Sequence, residues 1–200
     1  MSKPYRSSLV GGVLAPLLLL GGCQVLQQNQ VSVDYYKISG TTTAALDREI
    51  KRKGPKINGG LHAVAVARIK MFPKVTYERT GDRCHVESAK VTVDARVTLP
   101  KWTSRAKSSK QLGEAWDNID RYTRLHEATH VNMAFSYAKQ MEDSILALPS
   151  MKTCKKLRAQ TKKLVDRYLK EHDAAQRKYD RDEQKRFAEL ARTQKVASSF

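Results

Sequence analysis

The chain has no apolar run long enough to cross a bilayer as a mature helix. Its longest, Leu9 to Leu20, falls short of the ~20 residues that a span requires. That excludes a multi-span membrane protein. Cysteine is scarce: the 200 residues contain three, with no CxxC pair to suggest a paired-cysteine metal or redox motif. No internal repeat is visible, which argues against a solenoid or propeller. Acidic residues are also short, at 20 against 37 lysines and arginines, giving a formal charge of +17. With 40% hydrophobic and 28% charged residues, the composition is that of a globular domain rather than a disordered chain. After a leader, the remaining length suits one domain with a genuine core.

What is present begins at the N-terminus. Lys3 and Arg6 precede the apolar run, which ends in Leu20-Gly21-Gly22-Cys23. This pattern reads as a signal peptide over 1–22, and small residues before a cysteine resemble the bacterial lipobox. Cys23 is then the lipidated first residue of an exported protein, held on the periplasmic side of the envelope. Gln24 is not the aspartate associated with inner-membrane retention, so the outer membrane is favoured. An exported chain does not meet nucleic acid. The excess positive charge, about +15 without Lys3 and Arg6, points instead to anionic lipid headgroups or cell-wall polymers. Cys84 and Cys154 remain, an even pair in an oxidising compartment, and they read as a disulfide rather than as metal ligands.

The organisation predicted is α+β: a short N-terminal helix, a small antiparallel sheet and two long helices. Residues 23–33 read as a tether, 34–190 as the domain and 191–200 as a flexible tail. Helical spacing of Ala45, Leu46 and Ile50 lies between capping threonines and a Gly54-Pro55 stop. Leu61 to Lys70 and Lys74 to Arg79 alternate as strands, with Pro73 as a break or an edge position. Val91, Val93, Ala95, Val97 and Leu99 share one face of the clearest strand, half buried in an antiparallel sheet. From Gln111 to about Leu148, Leu112, Trp116, Ile119, Thr123, His126, His130, Met133, Tyr137 and Met141 form one helical stripe. A second long helix starts near Cys154 and carries Leu157, Leu164, Tyr168, His172, Ala175 and Tyr179 inward.

The chemistry rests on His126-Glu127-Ala128-Thr129-His130. Imidazoles four residues apart on a helix share a face and can converge on one Zn²⁺. Glu127 projects about 100° away, placed to take a proton from a metal-activated water without being a ligand. A catalytic zinc normally has three protein ligands. The extended metzincin pattern is absent, since Ser136 stands where its next ligand segment begins. His172 leads as third ligand, on the inner face of the second helix, with Glu183 and Glu142 as alternatives. His62 and His85 fall in the strand region without a spacing argument.

Several segments resemble the DUF922 family, described as predicted secreted zinc-dependent proteases. They are Tyr35-Tyr36, Ser39-Gly40-Thr41, Lys53-Gly54-Pro55, Cys84, Val91-Thr92-Val93-Asp94, Thr98-Leu99-Pro100-Lys101-Trp102, the HEATH motif, Thr153-Cys154 and Tyr179-Asp180. The resemblance implies metal ligation by His126 and His130, catalysis by Glu127, a zincin-like fold and a Cys84–Cys154 bridge. It departs at Glu183-Gln184-Lys185-Arg186, where many members have a Thr-x-His-Gly segment. The third ligand then comes from elsewhere, His172 or Glu183, or the zinc site is altered. Two functions follow. One is a zinc hydrolase cleaving an envelope protein or a cell-wall peptide, with a sheet edge aligning the extended substrate. The other is a non-catalytic lipoprotein that binds anionic envelope polymers.

Overall fold

The alternating segment around Val93 becomes the middle of a three-stranded sheet. A computed structural model of the chain describes residues 29–197, so the signal-peptide and Cys23 readings lie outside the described residues. Strand β1 (Gln30–Ile38) is followed by helix α1 (Thr43–Lys53), strands β2 (Val66–Thr80) and β3 (Arg83–Trp102), and helices α2 (Lys110–Leu146) and α3 (Cys154–Ala197). The sheet order is β1-β3-β2. β2 and β3 form a long hairpin that turns at Gly81, whose φ of 61° is a left-handed value that glycine adopts without strain. Pro73 lies inside β2 opposite Val91, tolerated because β2 is an edge strand.

The sheet is mixed, not antiparallel as expected, because β1 runs parallel to β3. The chain leaves β1, crosses through α1 and lays down β2, so β3 returns in the direction of β1. β1 also starts at Gln30, inside the segment read as a tether. Val31, Val33 and Tyr35 do alternate there, but the polar residues around them mask the signal. At the other end, α3 continues to Ala197, through most of the segment read as a tail. Among the described residues no helix is long and apolar enough to cross a membrane.

The core forms between one face of β3 and α2. Val91, Val93, Ala95, Val97 and Leu99 pack against Val131, Ala134, Ala138, Met141 and Ile145. A smaller cluster joins Ile38, Leu46, Trp102 and Trp116. α2 begins at Ser109, whose hydroxyl accepts from the Leu112 N–H at 3.2 Å, one of the otherwise unpaired donors of a first turn. The buried positions of α2 include Trp116, Thr123, Glu127, Val131, Ala134, Ala138 and Met141. This stripe is turned by one residue from the expected one around the motif. It carries Glu127 toward the sheet and leaves His126 and His130 facing α3. Ile119, expected on the inner stripe, is 50% exposed.

α3 packs antiparallel to α2: Tyr122 meets Glu183, His130 meets Gln176 and Ser144 meets Tyr168. The start of α3 is fixed by the Cys84–Cys154 disulfide, with Cα atoms 5.1 Å apart. Beside it, Cys84 and Met151 exchange backbone hydrogen bonds of 2.7 and 2.8 Å. The bridge spans a sequence separation of 70, so it restricts the unfolded chain strongly. The Cys84→Ser/Cys154→Ser double variant should therefore lose about 4 kcal/mol of unfolding free energy relative to the oxidised protein. Urea denaturation checks this, and unchanged stability would contradict a structural role for the bridge.

Candidate metal centre

One helical turn of α2 separates His126 from His130, and the two Nε2 atoms lie 3.1 Å apart. Asp180 of α3 completes the group: its Oδ1 is 3.2 Å from His126 Nε2 and 2.9 Å from His130 Nε2. Donor atoms that share one ion at about 2.0–2.1 Å lie about 3 Å apart, so the spacing fits a cation. The donor set also fits, since two imidazoles and a carboxylate suit Zn²⁺. The imidazole side chains are 20% and 12% exposed and the Asp180 carboxylate 46%, so the group opens on the aspartate side. Burial holds His126 below its ordinary pKa, with neighbouring His130 adding to this and Asp180 opposing it. A neutral imidazole is the form that ligates. Tyr179 stacks on the His126 ring at 4.9 Å and keeps it in place.

The DUF922 family, described as bacterial protein of unknown function, matches residues 33–187. The chain belongs to the DUF922 family. No curated protein and no solved structure matches it. The DUF922 match takes in His126, Glu127, His130 and Asp180, together with Cys84 and Cys154.

Glu127 of this DUF922 chain is 6% exposed. Burial pushes its carboxyl up from the ordinary carboxylate range, while His130 and a hydrogen bond from the Ala67 backbone N–H pull it down. The group faces a cleft of about 1000 Å³ between the start of β2, α2 and α3. Ile119, Tyr122 and Phe187 line one end and His172, Asp173 and Arg177 also line it. Tyr122 donates its hydroxyl to Glu183 Oε2. Burial and then that bond push the phenol above its ordinary value, so it stays a neutral donor.

The other expected ligands are not in the donor group. His172 Nε2 lies 2.6 Å from Gln176 Nε2 and the ring packs edge-on to Tyr137. Glu183 is 4% exposed, and Arg186 Nη1 lies 2.7 Å from its Oε1 as an ion pair without hydrogen-bond geometry. Glu142 is taken up by the sheet, accepting from Val91 N at 2.7 Å with Lys90 Nζ at 3.2 Å. His62 bonds the Gly54 carbonyl at 2.7 Å and His85 pairs with Glu78 at 3.2 Å, both outside the cleft. Cys84 and Cys154 are joined to each other and take no part in the centre.

The antiparallel register explains the choice. Each step down α2 from 130 to 126 to 122 is met by a step up α3 from Gln176 to Asp180 to Glu183. Glu183 therefore faces Tyr122, and Asp180 faces the histidines. Asp180 lies in the Tyr179-Asp180 segment of the family resemblance, eight residues after His172 on α3, but a single carboxylate in a charged helix carries no spacing signal for metal ligation. Gln176 carried no signal at all.

Loss of Asp180 should remove a ligand. Asp180→Ala is expected to weaken zinc binding by more than about 100-fold, beyond the usual effect of an outer-shell change. Glu183→Gln and Glu142→Gln should stay near wild type. Competition with a chromophoric chelator measures all three, and equal losses would contradict the assignment.

Proposed function

We propose that this protein is a zinc-dependent, zincin-like peptidase of the bacterial cell envelope, held at the membrane by lipid on Cys23. One observation carries the reading: His126, His130 and Asp180 converge at 2.9–3.2 Å beside the buried Glu127. A cation held by these three residues supplies Lewis acidity toward a carbonyl oxygen and an attacking water. Glu127 accepts the proton of that water and returns it to the leaving amine. Its burial suits this task, because a raised carboxyl pKa brings acid and base forms closer to neutral pH. The Ala67 N–H fixes the carboxylate on the sheet side.

The substrate class follows from the strand beside Glu127. Among the described residues, β2 is paired on one side alone, with β3. The Ala67 N–H points away from β3, toward Glu127. In an antiparallel ladder every second residue does the same, so Ile69 also offers its main chain to the open side. An extended peptide can add there as a further strand, with its carbonyl carried over the metal centre. The substrate is then an envelope protein or a cell-wall peptide. The basic surface holds the enzyme close to anionic lipid or polymer.

Purified protein should carry about one zinc per chain, and His126→Ala should remove it. Glu127→Gln should retain the metal and lose at least about 100-fold in hydrolysis of a denatured-protein mixture, read as new amino termini. Zinc content that ignores His126→Ala, or undiminished hydrolysis by Glu127→Gln, would sink the peptidase reading.

A further inference from the structure

A neutral histidine has one ring N–H, and a ligating nitrogen must be the other one. For His130 the question is what holds that proton on Nδ1. Gln176 Oε1 sits against His130 Nδ1, and Gln176 Nε2 lies 3.0 Å from the His130 backbone carbonyl oxygen. A backbone carbonyl only accepts, so the amide end facing it must be the NH₂. The amide oxygen then necessarily faces Nδ1, and Nδ1 must donate. The second amide hydrogen points to His172 Nε2 at 2.6 Å, so that nitrogen accepts and His172 carries its proton on Nδ1.

We propose that His172 and Gln176 form a tautomer lock that holds His130 in its ligand form before any metal arrives. This rests on the metal-centre reading and extends it. In the neutral form the lock leaves the His130 Nε2 lone pair facing Asp180 Oδ1 at 2.9 Å and His126 Nε2 at 3.1 Å. Lone pairs at that distance repel one another, and a proton or a bound metal ion between them relieves the repulsion. His126 lacks the same support: its Nδ1 is buried with no hydrogen-bond partner among the described residues. His130 is thus the preset ligand and His126 the adaptable one. His172 and Gln176 are positioning residues that act through His130.

The helix spacing makes this possible. His172, Gln176 and Asp180 follow at four-residue steps on α3, so one face carries a relay acceptor, an amide and a ligand. Gln176 and Asp180 meet the 126–130 turn of α2, and His172 packs against Tyr137 further along that helix.

Nitrogen-15 NMR of the metal-free protein tests the lock directly, because ring-nitrogen shifts distinguish the two tautomers. His130 should be protonated on Nδ1 in the wild type. In Gln176→Met, which keeps the volume and removes both polar ends, it should shift toward the Nε2–H form. Zinc affinity should fall by about 10- to 100-fold in Gln176→Met, with circular dichroism unchanged. His172→Phe should give a smaller loss in the same direction. An Nε2–H tautomer in the wild type, or a measurable zinc affinity that is the same in Gln176→Met as in the wild type, overturns the lock. If the wild type shows the Nδ1–H form, Gln176→Met loses it and neither binds zinc, the lock stands and the metal reading fails.

Discussion

The site depends on one constraint, the register of α3 against α2. A slip of one turn along α3 would set Gln176 or Glu183, rather than Asp180, against the two histidines. The register is held by elements far from the chemistry. At one end, the Cys84–Cys154 bridge and the Cys84–Met151 pair fasten the start of α3 to the hairpin. Along the seam, Leu157 is fully buried and Tyr168 bonds Ser144 at 2.6 Å. α2 is itself seated by Val131, Ala134, Ala138 and Met141 on β3. The His126, His130 and Asp180 donor group is thus a consequence of how a helix hairpin is pinned to a sheet.

That seating also divides the labour within the motif. The sheet-facing stripe of α2 takes Glu127, and the α3-facing stripe takes His126 and His130. Glu127 is therefore desolvated against β2, while the histidines meet the carboxylate that completes the donor set. The local chemistry runs against the global charge. In a chain of formal charge +17, the cleft collects Glu127, Asp173, Asp180 and Glu183. Asp173 is paired with Arg177 and Glu183 with Arg186, which leaves Asp180 as the carboxylate turned to the two histidines.

Much of this was legible in the sequence, for identifiable reasons. The β3 alternation and the helical spacing of α1, α2 and α3 are strong periodic signals, and they place α1, α2 and the start of α3 to within a few residues, while β3 begins well before Val91 and α3 runs on to Ala197. The two motif histidines needed nothing beyond their four-residue spacing, and the cysteine pairing followed from an even count. What failed was information carried between elements. The parallel pairing of β1 depends on the crossover, which no single strand reveals. The period shared by Ile119, His126, His130 and Met133 predicts an inner stripe of α2 that includes the histidines. The sheet selected the adjacent stripe instead. The sequence points to His172, Glu183 or Glu142 as the third donor, whereas helix register brings Asp180 to the two histidines and makes His172 a partner of Gln176.

The central claim is that one cation is shared by two residues of α2 and one of α3. A crystal of the zinc-treated protein, mapped by anomalous scattering at the zinc edge, tests it most directly. The account predicts a single strong peak within coordinating distance of His126 Nε2, His130 Nε2 and the Asp180 carboxylate, with His172 on Gln176. A peak bound through His172 or Glu183 instead of Asp180, or no peak between the two helices, would contradict it.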